Sequence, residues 1–568
     1  MTVPSASVTA PGTAAPSPVG FAPVHVQAET AAGPAAAVST ASPAATAIAA
    51  RVLTAGGNAV DAAVAGAWAL AVCEPSGSGL GGQAVMLVTP AHGPAVVLDG
   101  HARAPQSASR ALISRAEQHY GVRASTVPTM AAVLGAAHAR WGCLPWSWVV
   151  TQAAELAEEG HRITPLEARQ LAWVTGTLRR DPQTAAVFLP RGSAPAAGER
   201  LRQPALAATL RRIALTGTED FYRGALARSF IADQQARAGL ITAADLRRGE
   251  RVQVTLPLVF RHGDRTIATA PPPSGGLTLA LALCLLDRQR PAGDWDSGSW
   301  LLAVADAVRA AHALRDRLDP DDGDPVALLA ELVTRFEPGR RPGSARPPAV
   351  LRAPREMGAT VAPAGGLDHE PPGETTHLSV CDADGVTVAL TSSIQSLFGA
   401  KVLNARLGFL YNNYLVTCPR SVGPYRLGPG CRPRSNTAPS TVTDSSGGVL
   451  VLGAAGSRRI TSSLVQLVSA AADRGVALID AMRAPRVHGL ASGRIWVERP
   501  GAADLMTALE SRSPGPPAPL VRVRREHDYA MGGAHAVYRD ASGLVTAAAD
   551  PRRDGTVRCV RWPPRERG

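Results

Sequence analysis

The sequence predicts an α+β fold: a four-layer αββα (helix–sheet–sheet–helix) sandwich with a largely helical lobe from its N-terminal part. Three observations predict it. Ala-rich helical segments open the chain, residues 128–250 are mostly helical, and from Thr375 the texture changes to short strands with tight turns. Helix blocks around strands bury both sets of apolar faces by layering. The 568 residues are 45% hydrophobic and 18% charged, a core-forming balance, and 55 Gly with 47 Pro signal many turns.

Taken in order, residues 1–24 are rich in Ala, Pro, Ser and Thr and read as a disordered tail. They have neither the positive start nor the apolar core of a secretory leader. No apolar run of about 18 residues occurs, so the expected location is cytoplasmic, without membrane contact. Pro43–Leu53 reads as a helix stopped by Gly56-Gly57-Asn58, and Val60–Val72 as a second. Glu74-Pro75-Ser76-Gly77-Ser78-Gly79-Leu80-Gly81-Gly82 is a glycine loop. It lacks the phosphate-binding lysine and follows no strand, so tight turning or close backbone packing is its expected use. Strands follow at Ala84–Val88 and Val96–Leu98. Helices are expected at Met130–Arg140, Ser147–Glu159, Leu166–Leu178 and Ala225–Ala238, with Thr242 as the N-cap of the next. After Pro271-Pro272-Pro273-Ser274-Gly275-Gly276 come helices Leu277–Leu286 and Trp300–Arg315. Residues 340–374, rich in Arg, Pro and Gly, read as an exposed linker. Strands are then expected at Leu378–Cys381, Val386–Ser393, Val449–Leu452 and Ala534–Arg539, the last paired with Leu544–Ala548. One helix, Thr461–Ala472, crosses among them.

Net charge is +12, yet a single lysine, Lys401, stands among dispersed arginines, and aromatics are only 4%. No basic stripe is interleaved with stacking rings, which argues against nucleic acid and leaves a small anionic, carboxylate-bearing molecule as the expected partner. The 13 histidines show no metal-ligand spacing, so neither metal nor cofactor is expected. Seven cysteines without C-x-x-C spacing suit reduced thiols, and Cys418 and Cys431, which flank one loop, are expected to stay unpaired.

The chemistry centres on Gly373-Glu374-Thr375-Thr376-His377-Leu378-Ser379-Val380, where a Thr pair meets an alternating strand pattern. Taken alone, these hydroxyls suit a strand edge. If the Glu374–Thr375 bond is cut, however, Thr375 gains a free α-amine beside its own hydroxyl. Such an amine titrates near neutrality, at about 7.7–8, and supplies the base that a Thr hydroxyl lacks.

Gly56-Gly57-Asn58-Ala59-Val60-Asp61-Ala62-Ala63-Val64, Glu74-Pro75 with Ser78-Gly79-Leu80-Gly81-Gly82, Phe221-Tyr222-Arg223-Gly224, Pro271 to Gly276, Thr375-Thr376-His377 and Gly453-Ala454-Ala455-Gly456-Ser457-Arg458-Arg459-Ile460 occur in that order. Together they resemble the γ-glutamyltransferases, self-processing N-terminal-nucleophile hydrolases, from about residue 24 onward. The resemblance implies a cut that leaves a large chain (25–374, after the tail) and a small catalytic chain (375–568), held together as a heterodimer. It implies Thr375 as nucleophile with its α-amine as base, Ser393 as the hydroxyl that orients the amine, and the backbone N–H groups of Gly456 and Ser457 as oxyanion donors.

The substrate-holding positions depart from the family pattern. The arginine for the γ-glutamyl α-carboxylate is replaced by His101. Arg103, two residues on, shares the face of His101 if that loop is extended. Ser435 and Asn436 stand where the family has a Ser pair. On the ammonium side Gln395, Tyr414 and Thr417 replace an Asn, a Gln or Glu, and an Asp, so the formal countercharge is lost. Tyr414 reads equally as a core tyrosine or as the wall of a flatter, more apolar pocket. The expected function is therefore an autoprocessed amide hydrolase working through a Thr375 acyl-enzyme, poor with glutathione, with transfer to an amine acceptor as a second outcome. One alternative implied by the resemblance is C–C bond hydrolysis of a DOPA-derived keto acid in alkylproline antibiotic biosynthesis. Another, of a different class, is an unprocessed, non-catalytic binding protein.

Overall fold

A computed structural model describes residues 27–289, 294–315, 373–421, 423, 425–511 and 519–561. Fourteen strands build two seven-stranded antiparallel sheets: β1 Ala28–Ala31, β2 Ala35–Thr40, β3 Gln83–Thr89, β4 Val96–Asp99, β5 Gln253–Thr255, β6 Leu258–His262, β7 Arg265–Thr269, β8 Gly373–Cys381, β9 Thr387–Ser396, β10 Ser440–Thr443, β11 Val449–Ala455, β12 Gly533–Arg539, β13 Val545–Ala549 and β14 Thr556–Arg561. One sheet runs β1-β13-β12-β11-β10-β7-β6 and the other β14-β2-β8-β9-β3-β4-β5.

The period-2 pattern of β8 shows why the sheets face each other. Leu378 and Val380 turn outward into the core shared with helices Pro43–Thr54, Ala59–Cys73 and Trp146–Glu159. His377 and Ser379 turn inward. The ring of His377 bonds Thr391 Oγ1 (2.8 Å) and Ser379 Oγ (3.0 Å), and Ser379 donates to the His535 carbonyl of the opposite sheet. Burial holds that imidazole neutral. Gly453 of β11 lies so close that a Cβ there would sit 2.2 Å from it, so only glycine fits. Helices Gly276–Gln289, Gly298–Arg315 and Arg459–Leu467 cover the outer face of the first sheet. This completes the expected four layers.

Asn58 explains the first motif. It caps Ala59–Cys73 by accepting from Val60 N and Asp61 N, while Asp61 accepts from Asn58 N. Asp382, just past β8, accepts from Ala59 N and ties that helix to the strand's end. Gly57 leaves no room for a side chain against Leu144 and Val52. The motif is thus structural.

Most expected helices and strands lie within a few residues of their predicted positions, and Thr242 caps Ala243–Gly249 with Asp245 completing a capping box. Some differ. The expected helix Thr461–Ala472 is α-helical only over Arg459–Leu467 and widens to a π-turn at Val468–Asp473. A third sheet, Val487–Gly489, Ile495–Glu498 and Val521–Arg524, was not expected. The tail 1–24 and linker residues 340–372 lie outside the described residues. The linker's last residue is not exposed: Glu374 is fully buried within β8, because its side chain has a built pocket. The Cys418 and Cys431 sulfurs lie 3.8 Å apart. Among the described residues, no helix is long and apolar enough to cross a membrane, and no group of metal-ligating side chains occurs.

One edge of the first sheet carries a pH-dependent clasp. His262 at the end of β6 bonds Asp287 and Asp473, each at 2.9 Å. Burial would lower its pKa, but the two carboxylates outweigh burial and raise it to about 10. A raised folded-state pKa means the stabilisation is complete below the ordinary 6.5 and lost as pH rises toward about 10. Discounted for the exposure of Asp287, the loss is about 1 kcal/mol. Urea unfolding should therefore show stability falling between pH 6.5 and 9.5, with His262→Gln flattening that fall.

Candidate active site

Strand β8 pairs regularly with β9 from Thr376 to Cys381, and again at Gly373 and Glu374, but slips between Glu374 and Thr376. The slip is a bulge centred on Thr375. A bulge re-aims one side chain out of the ladder, and here it brings Thr375 Oγ1 to Ser393 on β9. The Thr375 hydroxyl donates to Ser393 Oγ (3.3 Å), and Ser393 donates to the Glu374 carbonyl (2.9 Å). Gln395 N donates to the same Ser393 oxygen (2.9 Å). A hydroxyl thus sits beside the carbonyl that precedes its own amide, and that carbonyl already accepts a hydrogen bond. Thr375 is only 5% exposed.

The glycine loop packs on this bulge. A Cβ at Gly82 would meet the Ser393 carbonyl at 2.4 Å, at Gly81 the Leu410 carbonyl at 2.1 Å, and at Gly77 the Glu374 Cγ at 3.2 Å. Close backbone approach is therefore the loop's use. Its first residue, Glu74, is half-buried beside the Thr376 hydroxyl. Burial pushes its carboxyl up to about 8, with Glu374 adding to the rise and Arg553 opposing it.

Gly456 follows β11 at φ +122°, and a Cβ there would lie 2.8 Å from Gly532 Cα. Only glycine fits. Ser457 takes a left-handed φ of +58°, a conformation costing a non-glycine residue about 1–2 kcal/mol. The turn is held by Arg459, whose backbone N–H donates to the Gly456 carbonyl (3.1 Å) and whose Nε donates to the Ala530 carbonyl (3.0 Å).

The expected substrate positions divide. Tyr414 joins the Thr375 centre. It is buried, and its hydroxyl lies within hydrogen-bonding reach of Ser393, Ser435 and Gln83. Burial pushes its phenol well up, so it stays a donor at neutral pH. Its polar neighbours include the Ser393 hydroxyl. Gln395 is held at φ +85° beside that centre. Ser435 is buried against Thr437 Oγ1 (3.0 Å), and Asn436 accepts from the buried Arg315 (2.5 Å). Thr417 instead spends its hydroxyl on the Tyr414 carbonyl (2.9 Å) within a short 3₁₀ turn.

His101 and Arg103 flank Ala102, whose N–H donates to Gln83. They border a cavity with Asp99, Gln106, Arg251 and Arg432, and none of Thr375, Ser393 or Gly456 lines it. His101 is buried with Nε2 on the Pro433 carbonyl (2.5 Å), whereas Arg103 is exposed and reaches the Gly430 carbonyl (3.4 Å). The segment belongs to no strand or helix. Arg432, paired with Asp99 at 3.0 Å, Tyr529 and Arg553 were not predicted. The only available signal was the Arg552-Arg553 pair after Asp550-Pro551, which carries no periodicity.

Tyr414→Phe isolates one element of this geometry. Removing the hydroxyl deletes a single donor, a loss of about 1 kcal/mol. Turnover should fall about fivefold in kcat with little change in KM, read on any amide the enzyme cleaves, while the melting temperature moves by only a few degrees.

A family model described as gamma-glutamyltranspeptidase matches residues 45–560. The chain is 32% identical to the acylase ACY 1 proenzyme of Pseudomonas sp. (strain SE83), over 90% of this chain and 91% of that protein. It is 30% identical to the oxamate amidohydrolase proenzyme of Klebsiella pneumoniae, over 89% and 95%. The crystal structure of cephalosporin acylase from Bacillus halodurans matches with a TM-score of 0.79, at 25% identity, covering 96% of this chain and 98% of that one. Layered sheets and this likeness place the fold in the N-terminal-nucleophile hydrolase class. Within that class, the chain belongs to the gamma-glutamyltranspeptidase family, and its relatives here are proenzymes of hydrolases.

Proposed function

We propose that the chain cuts itself between Glu374 and Thr375 and then hydrolyses small carboxylate-bearing amides through a Thr375 acyl-enzyme. The observation that carries this reading is the relay in the bulge: Thr375 hydroxyl to Ser393, and Ser393 to the Glu374 carbonyl. In the first step Thr375 Oγ1 bonds to the Glu374 carbonyl carbon, and the C–N bond breaks as its nitrogen takes the proton. Water then hydrolyses the ester, which releases the Glu374 carboxylate and frees the Thr375 hydroxyl beside the α-amine already formed. In turnover that amine accepts the hydroxyl proton as Oγ1 attacks the substrate carbonyl, and passes it to the leaving amine. Water, deprotonated by the same amine, releases the acid. Ser393 holds the amine, and the N–H groups of Gly456 and Ser457 receive the oxyanion.

Sheet order supports a lasting two-chain product. β2 lies between β14 and β8, and β1 pairs β13, so strands from before and after the cut interleave in both sheets. Glutathione should be poor, because Gln395, Tyr414 and Thr417 offer its ammonium no negative charge. The test is to quench the protein during turnover of acyl p-nitroanilides and weigh the small chain. An acyl adduct on the Thr375 peptide supports the reading. No adduct, with a β-keto acid cleaved instead, moves the chemistry to C–C bonds.

A further inference from the structure

Spacing alone gives no reason to join Cys418 and Cys431, but the fold brings their sulfurs into contact at 3.8 Å. The two thiols bracket the twelve residues 419–430. A disulfide bond is about 2 Å long, so small rotations about the side-chain bonds close the remaining gap.

The main chain at both ends is already tied down. Cys418 N donates to the Leu415 carbonyl (3.1 Å), and the Cys418 carbonyl accepts from the Gln118 side-chain amide (3.0 Å). Cys431 N donates to the Gly428 carbonyl (3.3 Å), and the Cys431 carbonyl accepts from Ala104 N (2.9 Å). Around the sulfurs, Ala104, Ile113, Leu415 and Leu427 form an apolar cluster, which suits an uncharged bond better than a thiolate. Within the loop, Leu427 N donates to the Pro419 carbonyl (2.9 Å) and Arg426 N to the Gly423 carbonyl (3.2 Å), while the Arg426 side chain is exposed.

The two sulfurs are not equivalent. Cys418 is buried, and its hydrogen bond to Cys431, reinforced by that burial, holds its thiol well above the ordinary range. Cys431 is only half-buried, so an external reagent reaches it first. Elsewhere, burial pushes the thiols of Cys73, Cys284, Cys381 and Cys559 up to about 12, which keeps them out of exchange at neutral pH.

We propose that Cys418 and Cys431 are a redox-active dithiol that exchanges with a low-molecular-weight disulfide and, once oxidised, latches residues 419–430 as a covalent ring. The Cys431 thiolate attacks one sulfur of the reagent, forming a mixed disulfide and expelling a thiolate that takes up a proton. Cys418 then gives up its proton as its sulfur attacks Cys431, and the second reagent thiol leaves. Two electrons pass from the protein to the reagent: the dithiol is oxidised to a disulfide, and the reagent is reduced to two thiols. Contact between the sulfurs makes this second step intramolecular, so it outruns a second encounter with reagent. The new bond ties the end of the Tyr414–Thr417 turn to the segment carrying Arg432 and Pro433, which hold Asp99 and His101.

The test incubates the purified protein with glutathione disulfide, quenches it in acid and maps its peptides without reduction. The site predicts Cys418 and Cys431 peptides joined with the loss of two hydrogens, free of glutathione and separated again by dithiothreitol. Trypsin cleavage after Arg426 should slow about tenfold in the oxidised protein, because the ring limits local opening. Cys418→Ser should leave a lasting glutathione adduct on Cys431, and Cys431→Ser should leave Cys418 unmodified. If either variant fails to fold, the wild-type map decides alone. Glutathione retained on Cys431 of the wild type, or both thiols left unmodified, overturns the proposal. Equal loop cleavage in the two redox states overturns the latch.

Discussion

Thr375→Ala is expected to leave a single 58.7 kDa chain with no measurable amide turnover. Alanine removes the oxygen that, in the proposed mechanism, attacks Glu374, so neither the cut nor the free α-amine should form. Two functions then fail through one atom, which makes this the largest effect expected anywhere in the molecule. Removing a nucleophile costs about 10⁴–10⁶ in kcat. Thr375→Ser restores a hydroxyl at the same bulge and should restore both the cut and turnover to within about a hundredfold. A denaturing gel and an anilide assay read the two outcomes separately. Residual activity in an uncut Thr375→Ala protein would mean that the acyl group is carried elsewhere.

The second large effect lies behind the Gly456-Ser457 turn. Arg486 and Arg552 clasp Asp550, and Arg552 also pairs with Glu498, with all four side chains essentially fully buried. Asp550 further accepts from Ala534 N on β12, and Arg486 donates to the Ser463 carbonyl in helix Arg459–Leu467. The network thus fastens the turn at Gly456 to the strand beside it. Removing one partner strands buried charge, so Asp550→Ala should cost about 3–5 kcal/mol, read as a lowered urea midpoint. Burial alone would raise the Asp550 carboxyl, but Arg552, Arg486 and two backbone donors outweigh it and hold it below the ordinary 3.8. A depressed folded-state value means the contribution is complete above that ordinary pKa and lost as pH falls through the folded value. Wild type should therefore weaken below about pH 4 more steeply than Asp550→Ala.

Local signals made the layers legible. Helix stops such as Gly56-Gly57-Asn58, the cap at Thr242 and the alternation Leu378, Val380 each act within a few residues, and each lies where the sequence puts it. Ala28–Ala31 and Ala35–Thr40 escaped notice because alanine is a poor strand former; their pairing comes from strands about 500 residues away. The same distinction runs through the site. Thr375 and Ser393 meet at the β8 bulge. The side chains of His101 and Arg103 are bound to the Pro433 and Gly430 carbonyls, contacts that no local spacing announces. Arg553 and Tyr529 are defined only by what they surround, the side chain of Glu374, and no spacing in the sequence encodes that encounter.

The central claim is that the working nucleophile is an amino terminus that the protein makes for itself. N-terminal sequencing with intact mass of the purified wild-type protein tests it most directly. The account predicts two chains that co-purify, one of them beginning Thr375-Thr376-His377. An undivided polypeptide that still cleaves an amide at full rate would contradict it.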